Sequence, residues 1–376
     1  MNLKIKISTI VCGLLLSLSV AGQDNPTYSL QQFYEYNPEL EHRVDTIFQA
    51  MTDEERVAQM LVTSAGELGK PESVVFQLAK ENKVGGVVFL KGTTENHKRM
   101  IDSLNAIATT QNQLPLLFSI DAEPSLYNGR LKGTDDLMNT INIKTTTQSD
   151  SIARIINNKL LEIGFHQNFA PVADISPGNE AIKNRSFGND KDTVIGLSQQ
   201  FIKTTQEQNI IATAKHFPGH GLVTGDTHKK SVYIDGELQE LDVYPPLIET
   251  GVLSIMMAHI TILNNEKYDT GGLPSSCSRK IVTGLLKEEL GFKGLIITDA
   301  LNIMKAVTII DNAPLLASKA GCDMLLMPID ETETIQAILE EMKLDKAYKN
   351  QVYQSVKKII RLKVSLNLLN TKKSAI

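Results

Sequence analysis

Eight short apolar runs recur along the chain with helical stretches between them. This alternation limits the possible folds more than any other feature of the sequence. The runs are Ala58–Val62, Val84–Leu90, Leu114–Ile120, Asn168–Ile175, Ile210–Ala214, Ser254–Ile260, Gly294–Thr298 and Asp323–Met327. Most are rich in Val, Ile, Leu or Met and lack polar alternation, as parallel strands buried on both faces do. Helical patterns lie between them, among them Ser73–Asn82, Thr94–Asn112, Gln148–Ile163, Asp192–Gln208, Glu237–Thr250 and Ser278–Leu290. Ser278 is placed to cap the last of these and Gly291 to stop it. Strand and helix alternating eight times predict an α/β fold, a (β/α)8 TIM barrel. A doubly wound open sheet is the alternative, but no Gly-rich phosphate loop supports it. A final helix, Asp345 to Leu369, carries Val352, Val356, Ile359, Ile360 and Leu362 on one face and is expected to pack under the barrel.

The first residues read as an export signal, residues 1–21. Lys4 and Lys6 form a basic start, Ile7 to Val20 an apolar stretch, and Ser19-Val20-Ala21 a small-x-small cleavage pattern. A membrane anchor is the alternative, but the apolar stretch is short for a span. The expected organisation is an N-terminal extension over 22–48, one barrel domain over 49–370 and a tail over 371–376. The mature protein is expected to be exported, in the periplasm or secreted. Of the 3 cysteines, Cys277 and Cys322 remain after cleavage. Two buried thiols or one bridge would both fit. The net charge is −5 and there is no basic block, which argues against nucleic acid. No other stretch could cross a membrane.

Polar residues stand at the ends of these runs. Asp121 follows the third, Asp174 lies near the end of the fourth, Lys215 and His216 follow the fifth, His259 ends the sixth and Asp299 follows the seventh. In a barrel such positions converge on one mouth, where the chemistry takes place. Asp174 alone could simply hold loop backbone, and His259 reads as a hydrogen-bonded rim histidine. The densest stretch is Lys-His-Phe-Pro-Gly-His-Gly-Leu-Val-Thr-Gly-Asp-Thr-His at 215–228. Asp226, two residues from His228, can hold one ring nitrogen and stabilise the imidazolium. A turn-capping Asp beside a surface His is the plainer reading of the same spacing. Arg185, Lys215 and His216 as donors, with Asp121 as acceptor, suit a ligand dense in hydroxyls. They would suit a metal less well.

These motifs resemble glycoside hydrolase family 3, in its single-barrel β-N-acetylglucosaminidase branch. The similarity runs from Met51-Thr52-Asp53-Glu54-Glu55-Arg56-Val57-Ala58-Gln59-Met60 to the C-terminal helix. It includes Asn-Phe-Ala-Pro-Val-Ala-Asp, Arg-Ser-Phe-Gly, Met-Ala-His-Ile and Leu-Gly-Phe-Lys-Gly-Leu-Ile-Ile-Thr-Asp-Ala-Leu. The resemblance implies that Asp299 is the nucleophile and His228 the general acid/base, assisted by Asp226. It implies that Asp121, Arg185, Lys215 and His216 bind the terminal sugar. The implied reaction is double displacement with retention, on a small carbohydrate such as an N-acetylglucosamine (GlcNAc) glycan or muropeptide, with no cofactor and no metal. With no second domain expected after the barrel, the acid is expected from the barrel's own loops. The chain departs from relatives after Asp121, where Ala122 to Arg130 replaces a Gly- and Arg-bearing run; Arg130 is placed to serve the same purpose. The segment from Asn302 to Asn312 is also short. These departures keep open a sugar- or muropeptide-binding protein with reduced catalysis. A β-glucosidase or a GlcNAc phosphorylase of the same family is also open. A metal-dependent TIM-barrel hydrolase fits less well, because such barrels need His-x-His where Thr63-Ser64-Ala65-Gly66 stands.

Overall fold

The computed structural model describes residues 27–176 and 178–369. The export signal, residues 22–26 of the expected extension and the 371–376 tail lie outside the described residues. Eight parallel strands form one sheet: β1 (Leu61–Ala65), β2 (Gly86–Phe89), β3 (Leu117–Ile120), β4 (Gln167–Asn168), β5 (Ile211–Phe217), β6 (Ser254–Met257), β7 (Leu295–Thr298) and β8 (Leu325–Leu326). Their spatial order is β7-β6-β5-β4-β3-β2-β1-β8. A parallel bridge between Ile297 and Met324 joins the two ends and closes the ring. The chain is the α/β barrel that the run pattern predicts. Every residue of β1, β2, β3, β5, β6 and β7 is buried, which is why these runs are apolar without alternation.

Several boundaries differ from the sequence expectation, each for a local reason. The first run begins at Leu61 rather than Ala58, because Asp53–Ala58 is helix. A capping box fixes that helix: Thr52 Oγ1 accepts the Glu55 N–H, and the Glu55 carboxylate accepts the Thr52 N–H at 2.7 Å. The fourth run is a strand only over Gln167–Asn168. Pro171 has no N–H to give, and the chain beyond it pairs irregularly with β5 through Lys215 N to Pro171 O and Ala173 N to Lys215 O. Only the end of Glu237–Thr250 is α-helical, at Tyr244–Glu249. Pro245 and Pro246 fall in its first turn, where a missing N–H costs nothing. Ser278 does not cap through its side chain. Its carbonyl accepts from Ile281 and Val282, ahead of the π-wound helix Lys280–Glu289. That helix stops before Gly291, which takes φ 69°.

The helix Lys346–Ser365 lies across the N-terminal end of the barrel, as its apolar face predicts. Lys363 Nζ reaches Gln59 Oε1 and the Gly85 carbonyl, just before β1 and β2. Lys358 Nζ reaches the Gly294 carbonyl and Asp323, just before β7 and β8. The helix Pro38–Ala50, most of which falls in the 22–48 extension expected from the sequence, packs on this one. Cys277 and Cys322 are both free and buried. Among the described residues, no helix is long and apolar enough to cross a membrane.

Candidate active site

At the opposite end of the barrel, β3 ends at Ile120 and delivers Asp121 to the mouth. Lys215, inside β5 and 2% exposed, forms an ion pair with Asp121 Oδ1. Arg130 Nη2 lies 3.1 Å from Asp121 Oδ2. Burial would raise the Asp121 pKa, but Lys215, Arg130 and Arg185 outweigh it and hold the carboxyl well below its usual range. Arg185 is fixed by Glu123, which is fully buried and accepts its Nε–H at 2.5 Å. Ser125 ties the same two loops together by donating to the Asn184 carbonyl. The 122–130 segment thus brings Arg130 back onto Asp121.

Asp174 does more than hold loop backbone. Its Oδ2 accepts His216 Nδ1–H at 2.6 Å, and its Oδ1 accepts the backbone N–H groups of His216 and His220. His216 is therefore oriented with Nε2 as the ring atom available to a ligand. Asp299 follows β7, its N–H held by the Met257 carbonyl, and its Oδ1 accepts the Ala300 N–H at 2.7 Å. Burial opposes its ionisation, but His216, His259, the Ala300 N–H and Lys215 together lower its pKa. An ionised, buried carboxylate at a strand end is suited to attack an electrophilic carbon. His259 is the hydrogen-bonded rim histidine of the sequence reading. Its Nδ1 is 2.7 Å from Ser276 Oγ, its Nε2 donates to the Ala300 carbonyl, and burial lowers its pKa.

The loop after β5 carries His228. Asp226 Oδ1 accepts both the backbone N–H of His228 and its ring Nδ1–H, the latter at 2.8 Å. Burial raises the Asp226 pKa, but the two His228 hydrogen bonds outweigh it and lower it. Thr227, between them, is buried; its carbonyl accepts the Ala306 N–H and its hydroxyl donates to Met304 Sδ. The chain then returns as a short strand, Val232–Asp235, paired in parallel with Ile260–Leu263.

One cavity of ≈ 140 Å³ is lined by Asp121, Arg130, Arg185, Lys215, His216, His228 and Asp299. Asp226 stands behind His228 rather than in the wall. Seven of the eight residues singled out from the sequence thus meet in one place. Its apolar wall includes Phe169, Met256, Met304 and Met327. Among the described residues, no group of three or more His, Cys, Asp or Glu is placed to hold a metal.

The sequence profile of "Glycosyl hydrolase family 3 N terminal domain" matches residues 52–362. The chain belongs to glycoside hydrolase family 3. Among its family 3 relatives, a β-hexosaminidase of Vibrio cholerae is 30% identical over 262 residues, covering 67% of this chain and 77% of the relative. A β-N-acetylglucosaminidase/β-glucosidase of Cellulomonas fimi is 26% identical over 345 residues, covering 86% of this chain and 60% of that one. Among solved structures, a family 3 β-N-acetylglucosaminidase from Paenibacillus sp. str. FPU-7 superposes with a TM-score of 0.77 at 26% identity. That match covers 87% of this chain, which spans 64% of the Paenibacillus one. A β-N-acetylhexosaminidase from Beutenbergia cavernae shares the fold, with a TM-score of 0.73 at 23% identity over 82% of this chain and 97% of its own.

Against this family 3 frame, sequence reasoning missed Glu123 as the partner of Arg185 and left Asp174 undecided. Glu123 lies 62 residues from Arg185, and Asp174 42 residues from His216, so no local spacing shows either pair. The one available signal was an acidic residue inside an otherwise apolar or Pro-containing strand end.

Proposed function

We propose that this protein is a retaining, exo-acting β-N-acetylglucosaminidase that removes terminal β-linked GlcNAc. The names of its relatives and the contents of the cavity support this reading. One observation carries the mechanism: the cavity wall holds two carboxylates, and only one is free to react. Asp121 is engaged by Lys215 and Arg130, whereas Asp299 receives a single backbone N–H. His216 is committed through Nδ1 to buried Asp174, which leaves His228 as the exposed titratable group of the wall.

Asp299 attacks the anomeric carbon while His228 protonates the leaving oxygen. The bond to the aglycone breaks and a glycosyl ester forms on Asp299. His228, now neutral, takes a proton from water, which attacks the same carbon and releases the sugar with retained configuration. Asp226 holds Nδ1–H of His228, so Nε2 is the nitrogen that gives and takes the proton. Asp121, Lys215, Arg185, His216 and Arg130 bind the hydroxyls of the terminal sugar. On the strength of residues 1–21 the protein is exported to the periplasm, where GlcNAc-bearing cell-wall fragments or external glycans are its substrates. Trapping with a slowly released fluorosugar of GlcNAc, followed by peptide mapping, tests the mechanism. Label on Asp299 is expected; label on any other residue would overturn the assignment.

A further inference from the structure

Glu240 is 4% exposed and lies beyond the His228 loop in sequence, yet its carboxylate points back at the base of that loop. Oε1 accepts the N–H of Ile175 at 2.7 Å and that of Gly221 at 3.2 Å. Oε2 accepts the N–H groups of Gly221 and Leu222, each at 3.0 Å. One side chain thus binds the chain after β4 to the start of the loop that ends in Asp226 and His228. Burial and the nearby Asp174 carboxylate raise its pKa, and the backbone N–H groups of Leu222, Ile175 and Gly221 pull the other way.

The glycines of Pro-Gly-His-Gly follow from this contact. A Cβ on Gly221 would lie 1.7 Å from the Ile175 carbonyl oxygen and 3.0 Å from Glu240 Oε1. A Cβ on Gly219, at φ 135°, would lie 2.5 Å from Glu240 Cβ. Only glycine lets the loop base come this close. A cavity of ≈ 310 Å³ lies beside this part of the loop, lined by Leu222, Val223, Thr224, Tyr233 and Glu240 itself, while Val223 packs against Val232, Ala258 and Ile260. The loop is held at its base by Glu240 and Asp174, in its middle by Asn179 Nδ2, which donates to the Val223 carbonyl at 2.6 Å, and near its tip by Thr227 against Ala306 and Met304.

We infer that Glu240 is a positioning residue that seats the acid/base loop, so that His228 reaches the leaving oxygen. The inference rests on the reading of His228 as acid/base. Both carboxyl oxygens face backbone N–H donors. A glutamine would turn an NH2 towards either Leu222 or Ile175, setting donor against donor.

The test compares Glu240→Gln and His228→Ala with the unaltered protein on two substrates. One is a dinitrophenyl β-GlcNAc glycoside, which needs no acid; the other is a methyl or disaccharide glycoside, which does. Glu240→Gln is expected to lower kcat/KM on the unactivated substrate by about 10-fold or more and on the activated one far less, as loss of acid assistance does. Amide hydrogen exchange in 218–228 should speed up while β5 and β6 keep their protection. Glu240→Asp keeps the carboxyl group but withdraws it by one methylene, and should show the same split more weakly. If His228→Ala splits the two substrates and neither Glu240 variant does, or if both Glu240 variants lose both activities equally, the inference is overturned. If His228→Ala itself shows no split, the acid/base reading fails first and this inference fails with it.

Discussion

Glu123 lies directly under Arg185, fully buried, and accepts its Nε–H at 2.5 Å, so a guanidinium in the wall of the cavity rests on a carboxylate outside that wall. Arg185 is held charged against its burial by Glu123 and then Asp121. Removing one partner of such a pair leaves the other charge uncompensated. Glu123→Gln is therefore expected to destabilise the fold by about 3 kcal/mol in urea unfolding. It should also raise KM more than it lowers kcat, because Arg185, a proposed sugar-binding residue, loses its fixed direction in the cavity wall. Unchanged stability together with unchanged KM would show that Arg185 orients itself without Glu123.

Asp226 accepts two hydrogen bonds from one residue, the backbone and ring N–H groups of His228. Asp226→Asn keeps the shape but offers an amide that can present its NH2 to the ring and favour the wrong tautomer. The expected loss on an unactivated glycoside is about 10²-fold or more, within the range of lost general acid–base assistance. An activated aryl glycoside should recover much of it in the first step. Equal losses on both substrates in stopped-flow measurements would count against a proton-transfer role for the pair.

As the proposed nucleophile, Asp299 must be ionised. Burial opposes this, but His216, His259, the Ala300 N–H and Lys215 lower its pKa. The acid limb of kcat/KM is expected to lie below the ordinary carboxylate range, so that activity persists as pH falls to about 4. Lys215→Ala should move that limb upward as well as weaken binding. An acid limb at the same pH in both proteins would mean that another group controls it.

The barrel was legible because parallel strands buried on both faces leave a residue-type signature that needs no partner to be read. Strand ends were less so. The shift from Ala58 to Leu61 follows from a capping box at Thr52 and Glu55, and the short β4 from Pro171. That Lys215, His216 and Asp299 face one cavity was legible because each lies in or directly after its own strand, whereas His228 was legible only through its spacing from Asp226. Glu123, Asp174 and Glu240 act across 62, 42 and 65 residues, on Arg185, His216 and the Ile175 N–H respectively. Their partners are set by the closing of the ring, which sequence spacing does not contain.

Lys363 offers a test of the fold away from the site. It is fully buried under the barrel, with Nζ at 2.6 Å from Gln59 Oε1 and 2.8 Å from the Gly85 carbonyl, both neutral. Burial lowers its pKa from 10.5 to about 7. Between those two values the unfolded chain holds a proton that the folded protein has released, so folding gains stability as pH rises through that window. Below about 7 both states carry the charge, and the cost of burying it is borne in full. Lys363→Met removes the titrating group while keeping most of its volume. The unaltered protein should therefore gain about 2–3 kcal/mol relative to the variant between pH 6 and pH 9, since each pKa unit is worth about 1.4 kcal/mol. Comparing the two slopes removes the shared contribution of every other group, including Glu240, which titrates in the same interval. Urea unfolding of both proteins at the two pH values measures it. Parallel stability curves would mean that the Lys363 ammonium keeps its proton inside the barrel floor, with Gln59 and Gly85 sufficient to hold it.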